Sequence, residues 1–310
     1  MKVVEAKKTL DRVFSEVGKV IVGQEEMVGE VMIALLADSH ALLEGYPGLA
    51  KTLLVKTMSD VMELKFSRIQ NTPDLMPSDI TGTYIIEETT GGKRNFKFQP
   101  GPVFANMVLA DEINRATPKT QSAMLEAMQE RQVTVGNSTY PLDRPFFVLA
   151  TQNPIEQEGT YPLPEAQSDR FLLKINVSYP TFQEELEIVN RYSEGADPAG
   201  LKVVLRKKEL IDLQRLTRSI PIANDIKKYA VDIVTKTRNT PQLIEYGASP
   251  RASLGLVLSA KARALMNGRK YVSKDDIKNM ALPVLRHRIV PTFEAERSNL
   301  TVDDVIKKVL

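Results

Sequence analysis

The order of hydrophobic patterns along the chain is the feature that most limits its fold. In the first 180 residues, short β-type apolar runs alternate with helical patterns, whereas the later patterns are helical and separated by prolines. This alternation favours a layered α/β fold with a parallel sheet and right-handed crossovers. We therefore predict an α/β core over residues 1–180 and an all-α domain over residues 181–310. The predicted strands are residues 40–45, 106–111, 145–152 and 171–179, the helices between them include 51–62 and 118–131, and turns of the second domain are expected at Pro221, Pro241, Pro250, Pro283 and Pro291.

Two segments inside the predicted core have the pattern of β-hairpins. Residues 82–98 carry β-prone arms around Gly91-Gly92, and residues 131–142 alternate apolar and polar side chains around Gly136-Asn137. A glycine-containing turn between two β-prone arms is typical of a hairpin. We therefore expect two hairpins inserted into the α/β core.

Composition and charge exclude several kinds of protein. The 310 residues include 41 Lys and Arg against 39 Asp and Glu, a balance that does not favour general nucleic-acid binding. The chain has no cysteine and only two histidines, His40 and His287, so we do not expect a zinc site. The charged N-terminus lacks the apolar core of a signal peptide, and the longest uncharged apolar run, residues 31–37, is too short to span a bilayer. We expect a cytoplasmic protein.

The stretch EGYPGLAKTL, residues 44–53, differs at one place from the phosphate-binding pattern Gly-x-x-x-x-Gly-Lys-[Ser/Thr]. Gly45, Lys51 and Thr52 match, and Ala50 stands where the second glycine belongs. A predicted strand precedes the stretch and a predicted helix follows it, as such a loop requires. Lys51 would then reach the β- and γ-phosphates, and Thr52 would bind Mg²⁺. Ala50 costs about 1 kcal/mol if its φ must be positive, and a plain strand–turn–helix connection is the alternative.

Two other predicted strands end in polar side chains that would complete a nucleotide site. Asp111 and Glu112 end the strand at 106–111, at the edge of a parallel sheet where ligands gather. Asp111 can hold Mg²⁺ through a water, and Glu112 can orient and deprotonate the attacking water. Asn153 follows the strand at 145–152 and could contact the γ-phosphate. Solvated acids at a strand end, and an asparagine that closes a turn before proline, are the alternatives.

These elements, in this order and followed by a helical domain, resemble the MoxR family of AAA+ ATPases. GYPGLAKT is similar to that family's phosphate loop, in which alanine at this place is usual, so we interpret Ala50 as a family variant. The resemblance covers nearly the whole chain and implies a P-loop core with a parallel sheet and two hairpin insertions, followed by an all-α lid domain. The further matching motifs are VGQ (22–24), DEINRA (111–116), ATQNP (150–154), LPEAQSDRF (163–171) and GASPRA (247–252).

The resemblance implies a role for each matching residue. Asn153 would be the first sensor, Arg170 an arginine finger that reaches a neighbouring subunit's site, and Arg251 the second sensor on the helical lid. Arg115 would face the subunit interface. A local ion pair is the alternative for Arg170, and a solvated first-turn position is the alternative for Arg251. The implied adenine pocket contains Val22, Gly23 and Gln24; the implied phosphate contacts are Gly45, Pro47, Gly48, Leu49, Ala50, Lys51, Thr52 and Leu53; the Mg²⁺ ligands are Thr52 and, through a water, Asp111; and Asp111 with Glu112 forms the hydrolytic pair.

The resemblance also implies an activity and partners. We expect a homo-oligomeric ring, a hexamer, that binds ATP and Mg²⁺ between subunits and uses hydrolysis to remodel a client protein, with a partner that carries a von Willebrand factor A domain. The hairpins would point toward the ring pore, where Tyr84, Phe96 and Phe98 either contact a client or pack the hairpin against its own domain. We expect neither a membrane segment nor a nucleic-acid partner. The alternatives are the ATPase subunit of a magnesium or cobalt chelatase, a nucleic-acid translocase with the same core, and a nucleotide-gated scaffold.

Overall fold

The computed structural model describes residues 2–88, 94–154, 159–193 and 200–310. The turn expected at Gly91-Gly92 lies outside these residues. In chain order the helices are α1 (Val3–Val17), α2 (Glu25–Leu36), α3 (Lys51–Val61), α4 (Pro77–Thr81), α5 (Pro118–Glu130), α6 (Glu165–Ser168), α7 (Phe182–Tyr192), α8 (Lys207–Ser219), α9 (Asn224–Arg238), α10 (Pro250–Met266), α11 (Lys274–Leu285), α12 (Phe293–Arg297) and α13 (Val302–Val309). The strands are β1 (Ala41–Gly45), β2 (Phe66–Gln70), β3 (Gly82–Glu88), β4 (Arg94–Pro100), β5 (Met107–Asp111), β6 (Gln132–Val135), β7 (Ser138–Pro141), β8 (Phe147–Gln152), β9 (Leu173–Val177), β10 (Ile244–Tyr246) and β11 (Val290–Pro291).

A five-stranded parallel sheet in the order β2-β5-β8-β1-β9 forms the centre of the core. The four strands predicted from apolar runs, β1, β5, β8 and β9, are all present. The sequence analysis missed β2. This strand lies at the edge of the sheet, and of its five residues only Ile69 is buried. Since an edge strand of this kind carries no continuous apolar run, its sequence lacks the usual signal for a buried strand.

The carboxyl ends of these parallel strands bring distant segments together at one edge of the sheet. Glu44 on β1 is the register partner of Gln152 on β8, and Gln70 on β2 is the register partner of Asp111 on β5. The phosphate-loop stretch therefore leaves the sheet beside the acid pair and beside Asn153. Ligands of open α/β sheets bind at this edge.

Both predicted hairpins are present within the described residues, and they pack against each other. The ring of Phe98 on β4 stacks on Tyr140 of β7, with centroids 4.0 Å apart. The hydroxyl groups of Tyr84 and Tyr140 lie 2.8 Å apart. In contrast, the side chain of Phe96 is 77% exposed. Of the three aromatic residues singled out in the sequence, Tyr84 and Phe98 therefore contribute to packing, and Phe96 faces solvent.

Helices cover the sheet and bury regularly spaced apolar side chains. In α1 the buried residues are Ala6, Leu10, Val13 and Val17, which recur every three or four positions and so lie on one face. They belong to a continuous core that also includes residues of β1, β9 and the second domain. Such continuity of the core joins the two predicted domains.

The second domain is helical, but it departs from the sequence-based expectation in its short strands and at three prolines: Pro250 is the first residue of α10, Pro291 lies in β11, and Pro283 is described below. The expectation that strands end near residue 180 was wrong in one detail, because β10 and β11 form a small antiparallel sheet of three and two residues. Such short strands carry no periodic signal. Pro283 lies inside α11 and not in a turn, and the helix continues to Leu285.

The helical domain contacts the core at the amino-terminal edge of the sheet, whereas the phosphate-loop stretch lies at the carboxyl-terminal edge. Arg288 is 3% exposed in its side chain and donates from Nε to Asp169 Oδ1 at 2.7 Å. His287 Nε2 lies 2.9 Å from the carbonyl oxygen of Phe171. Residues 169–172 precede β9, whereas the phosphate-loop stretch follows β1, and β1 and β9 are parallel. The lid thus contacts the amino-terminal edge of the sheet.

Candidate nucleotide site

The stretch between β1 and α3 has the backbone of a phosphate-binding loop. Ala50 adopts φ 53° and ψ 23° and precedes the first residue of α3, Lys51. The ammonium group of Lys51 donates to the carbonyl oxygen of Gly45 and thereby spans the loop. The free N–H groups of the first turn of α3 face the loop, and a helix N-terminus attracts phosphate. The positive φ of Ala50 shows why glycine is usual here, since alanine in this conformation is strained.

Gly45 is required for a different reason, the close approach of two strands. A Cβ atom at this position would lie 2.9 Å from Cβ of Val177 and 3.2 Å from the carbonyl oxygen of Val177. Gly45 and Val177 are register partners across β1 and β9. A side chain at position 45 would therefore push β1 away from β9 and displace the start of the loop.

The charge of Lys51 is held in a partly buried setting. Burial lowers the pKa of the Lys51 ammonium group, while the nearby carboxylates of Asp111, Glu112 and Glu44 oppose this effect. Phosphate oxygens would add negative charge beside the ammonium group and so favour its protonated form. This environment fits a lysine that binds a polyphosphate.

The acid pair at the end of β5 is positioned by Thr151 of β8. Thr151 Oγ1 donates to Asp111 Oδ1 at 2.6 Å, and the backbone N–H of Glu112 donates to Thr151 Oγ1 at 2.8 Å. Glu112 itself has a left-handed backbone, with φ 54°, at the start of a 3₁₀ turn, Ile113–Arg115. The sharp turn after Asp111 directs the two consecutive carboxylates of the pair into the same cleft.

Two side chains of β2 contact the acid pair, and the sequence analysis did not identify them. Arg68 donates from Nη2 to Asp111 Oδ2 at 2.6 Å and from Nε to the same oxygen at 3.2 Å. Gln70 Nε2 donates to Glu112 Oε2 at 3.1 Å. Residues 68 and 70 share one face of the strand because side chains alternate along it. Only the order of the strands, which places β2 beside β5, could have shown this contact.

The phosphate loop, the acid pair, Thr151 and Arg68 line one cleft of about 430 Å³. The structure brings together the phosphate loop, the acid pair and Asn153, three elements that the sequence analysis assigned to one site. Asn153 is buried, at 9% exposure. Thr52 and Asp111 both line the cleft, which offers a hydroxyl and a carboxylate to a cation. The cleft is lined by Pro47, Gly48, Leu49, Ala50, Lys51, Thr52, Leu53, Arg68, Asp111, Glu112, Thr151 and Asn153.

The predicted adenine residues lie at a second cavity, of about 530 Å³. Val22 and Gly23 line it together with the side chains of Glu187 and Arg191 from α7. Gln24 caps α2, and its Oε1 atom is buried without a hydrogen-bond partner among the described residues. An orphaned buried acceptor of this kind would be satisfied by an amino group such as that of adenine.

The predicted finger and second sensor lie elsewhere. Arg170 and Arg251 share a cavity of about 240 Å³ with Asp169 and Arg288, and neither arginine lines the phosphate cleft. Arg251 Nη1 is 3.9 Å from Asp169 Oδ2. This cavity lies where the lid meets the amino-terminal edge of the sheet. A strand of five residues spans about 17 Å, so the two arginines are separated from their own phosphate loop by the length of the sheet.

Arg115 differs from these two arginines, because it lies at the cleft. Its Nη1 atom donates to Glu112 Oε2 at 3.1 Å. Glu112 Oε2 therefore accepts hydrogen bonds from both Gln70 and Arg115. The contact places Arg115 beside the predicted catalytic carboxylate.

The residues of the cleft fit a nucleotide triphosphate with Mg²⁺. Magnesium is held in proteins by one or two carboxylates together with substrate phosphates, and not by a cage of side chains. Within the described ranges, no group of three or more His, Asp or Glu residues could hold a metal by itself. In the same ranges, no helix combines the length and the apolar character that crossing a membrane requires.

Two family models match the chain over segments that contain these residues. A family model for the ATPase family associated with various cellular activities (AAA) matches residues 40–173, and a model for an AAA lid domain matches residues 236–309. The first match contains the phosphate loop, the acid pair, Asn153 and Arg170. The second contains Arg251.

Individual relatives match over almost the whole chain. The chaperone MoxR1 of Mycobacterium tuberculosis is 47% identical over 310 residues, which covers 97% of this chain and 81% of the relative. The protein MoxR of Methylorubrum extorquens is 29% identical, covering 95% of this chain and 91% of the relative. A crystal structure of a protein provisionally called an ATPase, from Cytophaga hutchinsonii, superposes with a TM-score of 0.92 at 44% identity, covering 99% of this chain and 94% of that one.

Proposed function

The chain belongs to the MoxR family of AAA+ ATPases, and on that premise we propose that it hydrolyses MgATP in a homo-oligomeric ring to remodel a protein client. The single observation that carries the proposal is the cleft in which Lys51, Asp111, Glu112 and Asn153 come together. Family membership supports an ATPase activity, and this arrangement supports the use of ATP with Mg²⁺.

The phosphate loop would bind the polyphosphate with its backbone and one ammonium group. The N–H groups of the first turn of α3 donate to phosphate oxygens, and Lys51 exchanges its bond to the Gly45 carbonyl for the β- and γ-phosphates. Thr52 and Asp111, the latter through a water, would hold Mg²⁺, which neutralises charge on the transferring phosphoryl group. Val22, Gly23 and Gln24 would receive the adenine ring.

Glu112 is the residue best placed to orient and deprotonate a water. It lies at the mouth of the cleft and keeps its carboxylate in place through hydrogen bonds from Gln70 and Arg115. Asn153, on the neighbouring strand end, can fix the same water or the γ-phosphate by hydrogen bonding. Positioning and electrostatic stabilisation of this kind account for most of the catalysis of phosphoryl transfer.

Arg170 and Arg251 would act on a neighbouring subunit. Both lie at the sheet edge opposite their own cleft, and both carry a guanidinium group. A positive charge supplied across an interface stabilises the transition state only when subunits are assembled. A head-to-tail ring provides this arrangement at every interface, and we propose a hexamer.

The work would be done by the hairpins and the lid. Phe96 is exposed on the first hairpin and is the aromatic residue available to a client. We propose a cytoplasmic chaperone-like role in the maturation of protein complexes, with a partner that carries a von Willebrand factor A domain. The name of the relative from Mycobacterium tuberculosis, a chaperone, supports this role.

The test separates binding from turnover. Lys51→Ala should weaken binding of a fluorescent ATP analogue at least tenfold, whereas Glu112→Gln should bind it as the wild type does and release less than about 1% of the phosphate. Wild-type protein that binds no ATP at micromolar concentration would contradict the proposal. Stimulation of turnover by DNA, and not by a client protein, would favour the translocase instead.

A further inference from the structure

Asp111 has both carboxylate oxygens engaged by side chains. Thr151 Oγ1 donates to Oδ1, and Arg68 donates to Oδ2 through two of its nitrogens. Asp111 is largely buried, whereas 46% of the Arg68 side chain is exposed. The arginine therefore contacts Asp111 from the open side, and both residues line the cleft.

The hydroxyl of Thr151 and the guanidinium of Arg68 differ in how easily they can move away from the carboxylate of Asp111. Thr151 is 1% exposed and also accepts from the backbone of Glu112, so its position is fixed by the sheet. Arg68 is a long side chain on an edge strand and is about half exposed, so water can solvate its guanidinium when it leaves Asp111. Oδ2 is therefore the oxygen of Asp111 that can be released to a metal-bound water.

The charges of the cleft suggest what the arginine does. Asp111 and Glu112 supply two negative charges, while Lys51 and Arg68 supply two positive charges. When Mg²⁺ enters, a guanidinium on Oδ2 would occupy the place of the metal's water and would repel the metal. Two cations cannot use the same carboxylate oxygen at this range without a loss of affinity.

We propose that Arg68 is a positioning residue that holds Asp111 in the absence of metal and must release Oδ2 before Mg²⁺ can bind with nucleotide. The arginine thereby keeps the carboxylate aimed into the empty cleft and sets the strength of the coupling between Mg²⁺ and nucleotide. The inference rests on the proposed function, because it assumes that the cleft binds MgATP.

The measurement is a thermodynamic cycle. The dissociation constant of a fluorescent, non-hydrolysable ATP analogue is determined in excess EDTA and in saturating Mg²⁺. The constant in EDTA divided by the constant in Mg²⁺ reports the coupling. Arg68→Gln should increase this ratio about fivefold, because Mg²⁺ no longer competes with the guanidinium for Oδ2 of Asp111. The constant in EDTA should stay within about twofold of the wild-type value.

Two further variants separate this role from the other possible roles. Arg215→Gln removes an exposed arginine far along the chain in α8 and should leave the ratio unchanged. Arg68→Lys keeps the charge but loses the planar fork, and its ratio should lie between those of the wild type and Arg68→Gln. Since a lysine is a mild replacement on an exposed edge strand, this variant also tests the idea if the glutamine variant does not fold.

Each contrary outcome has a distinct meaning. If Arg68→Gln weakens the analogue equally with and without Mg²⁺, Arg68 contacts phosphate and the inference is wrong. If the ratio does not change in either Arg68 variant, the ion pair has no role in metal loading and the inference is also wrong. If wild-type protein binds no analogue under any condition, the proposed function itself fails.

Discussion

Thr151 Oγ1 joins β8 to β5 at the acid pair, by donating to Asp111 Oδ1 at 2.6 Å and accepting from the backbone N–H of Glu112 at 2.8 Å. One buried hydroxyl thus donates to the carboxylate of Asp111 and accepts from the backbone N–H of Glu112, at the sharp turn that follows Asp111. The arrangement of the hydrolytic pair therefore depends on a residue that the sequence analysis treated as part of a strand.

Thr151→Val should damage both stability and catalysis. Valine has a similar volume but cannot form a hydrogen bond. The backbone N–H of Glu112 is then left unpaired, at a cost of about 1–3 kcal/mol in the free energy of unfolding. We expect the rate constant for ATP hydrolysis to fall at least tenfold, because Asp111 and Glu112 lose their fixed positions. Urea unfolding and steady-state ATPase assays measure the two effects. Thr151→Ser, which keeps the hydroxyl, should retain most of the stability and most of the ATPase rate. If the serine and valine variants lose stability and activity equally, the hydroxyl does not have this role.

Ala50 can be replaced by glycine without loss, but not by a β-branched residue. At φ 53° alanine is strained, so Ala50→Gly relieves the strain while raising the entropy of the unfolded chain by a similar amount. The free energy of unfolding should change by less than about 1 kcal/mol, and ATP binding should persist. Ala50→Val should cost about 1–2 kcal/mol and weaken binding, since a branched Cβ fits poorly at positive φ. Thermal unfolding with and without nucleotide distinguishes the two, and a valine variant as stable as the wild type would refute the argument.

Much of the fold was predictable because its main signals are local. The strands β1, β5 and β8 are buried along most of their length and carry apolar runs, the edge strand β9 alternates apolar and polar residues, and the phosphate loop and the acid pair are contiguous in sequence. The edge strand β2 and the short strands β10 and β11 lack such runs. The contact of Arg68 with Asp111 required knowing which strand lies beside β5, a tertiary fact that no local pattern contains.

The placement of Arg251 also depends on a tertiary contact that no local sequence pattern contains. Its motif identified the residue, and the start of α10 at Pro250 agrees with a position in the first turn of a helix. Which cleft the helix faces depends on how the lid docks. The buried ion pair between Arg288 and Asp169 contributes to that docking, and it joins residues 119 positions apart.

A buried acid in α2 should make stability depend on pH. Burial raises the pKa of Glu30 to about 7, with the charges of Glu26 and Asp303 adding to the shift and that of Arg286 opposing it. A carboxyl whose folded pKa is raised destabilises the folded state as the pH rises from its unfolded pKa, near 4.5, through its folded pKa, near 7.

Glu30→Gln removes this dependence. Relative to the wild type, it should gain about 2–3 kcal/mol in the free energy of unfolding on going from pH 5 to pH 8. Buried His40, with its pKa lowered to about 4, makes both proteins less stable in acid, and its effect cancels in the comparison. Urea titrations at the two pH values give the difference, and Glu25→Gln on the exposed side of the same helix should show none. If Glu30→Gln changes the free energy of unfolding by the same amount at pH 5 and at pH 8, the pKa of Glu30 is not raised in the folded protein.

The last prediction tests whether Arg170 acts across an interface. The arginine lies at the opposite edge of the sheet from its own cleft, so a catalytic role requires a neighbour's nucleotide. Arg170→Ala should bind ATP normally and hydrolyse it about 1,000-fold more slowly or worse, as expected for the loss of an arginine finger.

Mixing variants makes the interface itself measurable. An Arg170→Ala chain keeps its own cleft, and a Lys51→Ala chain keeps its arginine, so a mixed ring contains some interfaces in which an intact cleft faces an intact finger. With random assembly from equal amounts, roughly a quarter of the interfaces are intact, and activity should recover toward that fraction. In the matched control, the Lys51→Ala chain also carries Arg170→Ala; no interface is then complete, and no recovery is expected. Mixed rings that form but stay inactive would show that Arg170 does not act in trans, and wild-type turnover by Arg170→Ala alone would leave it only a local role beside Asp169.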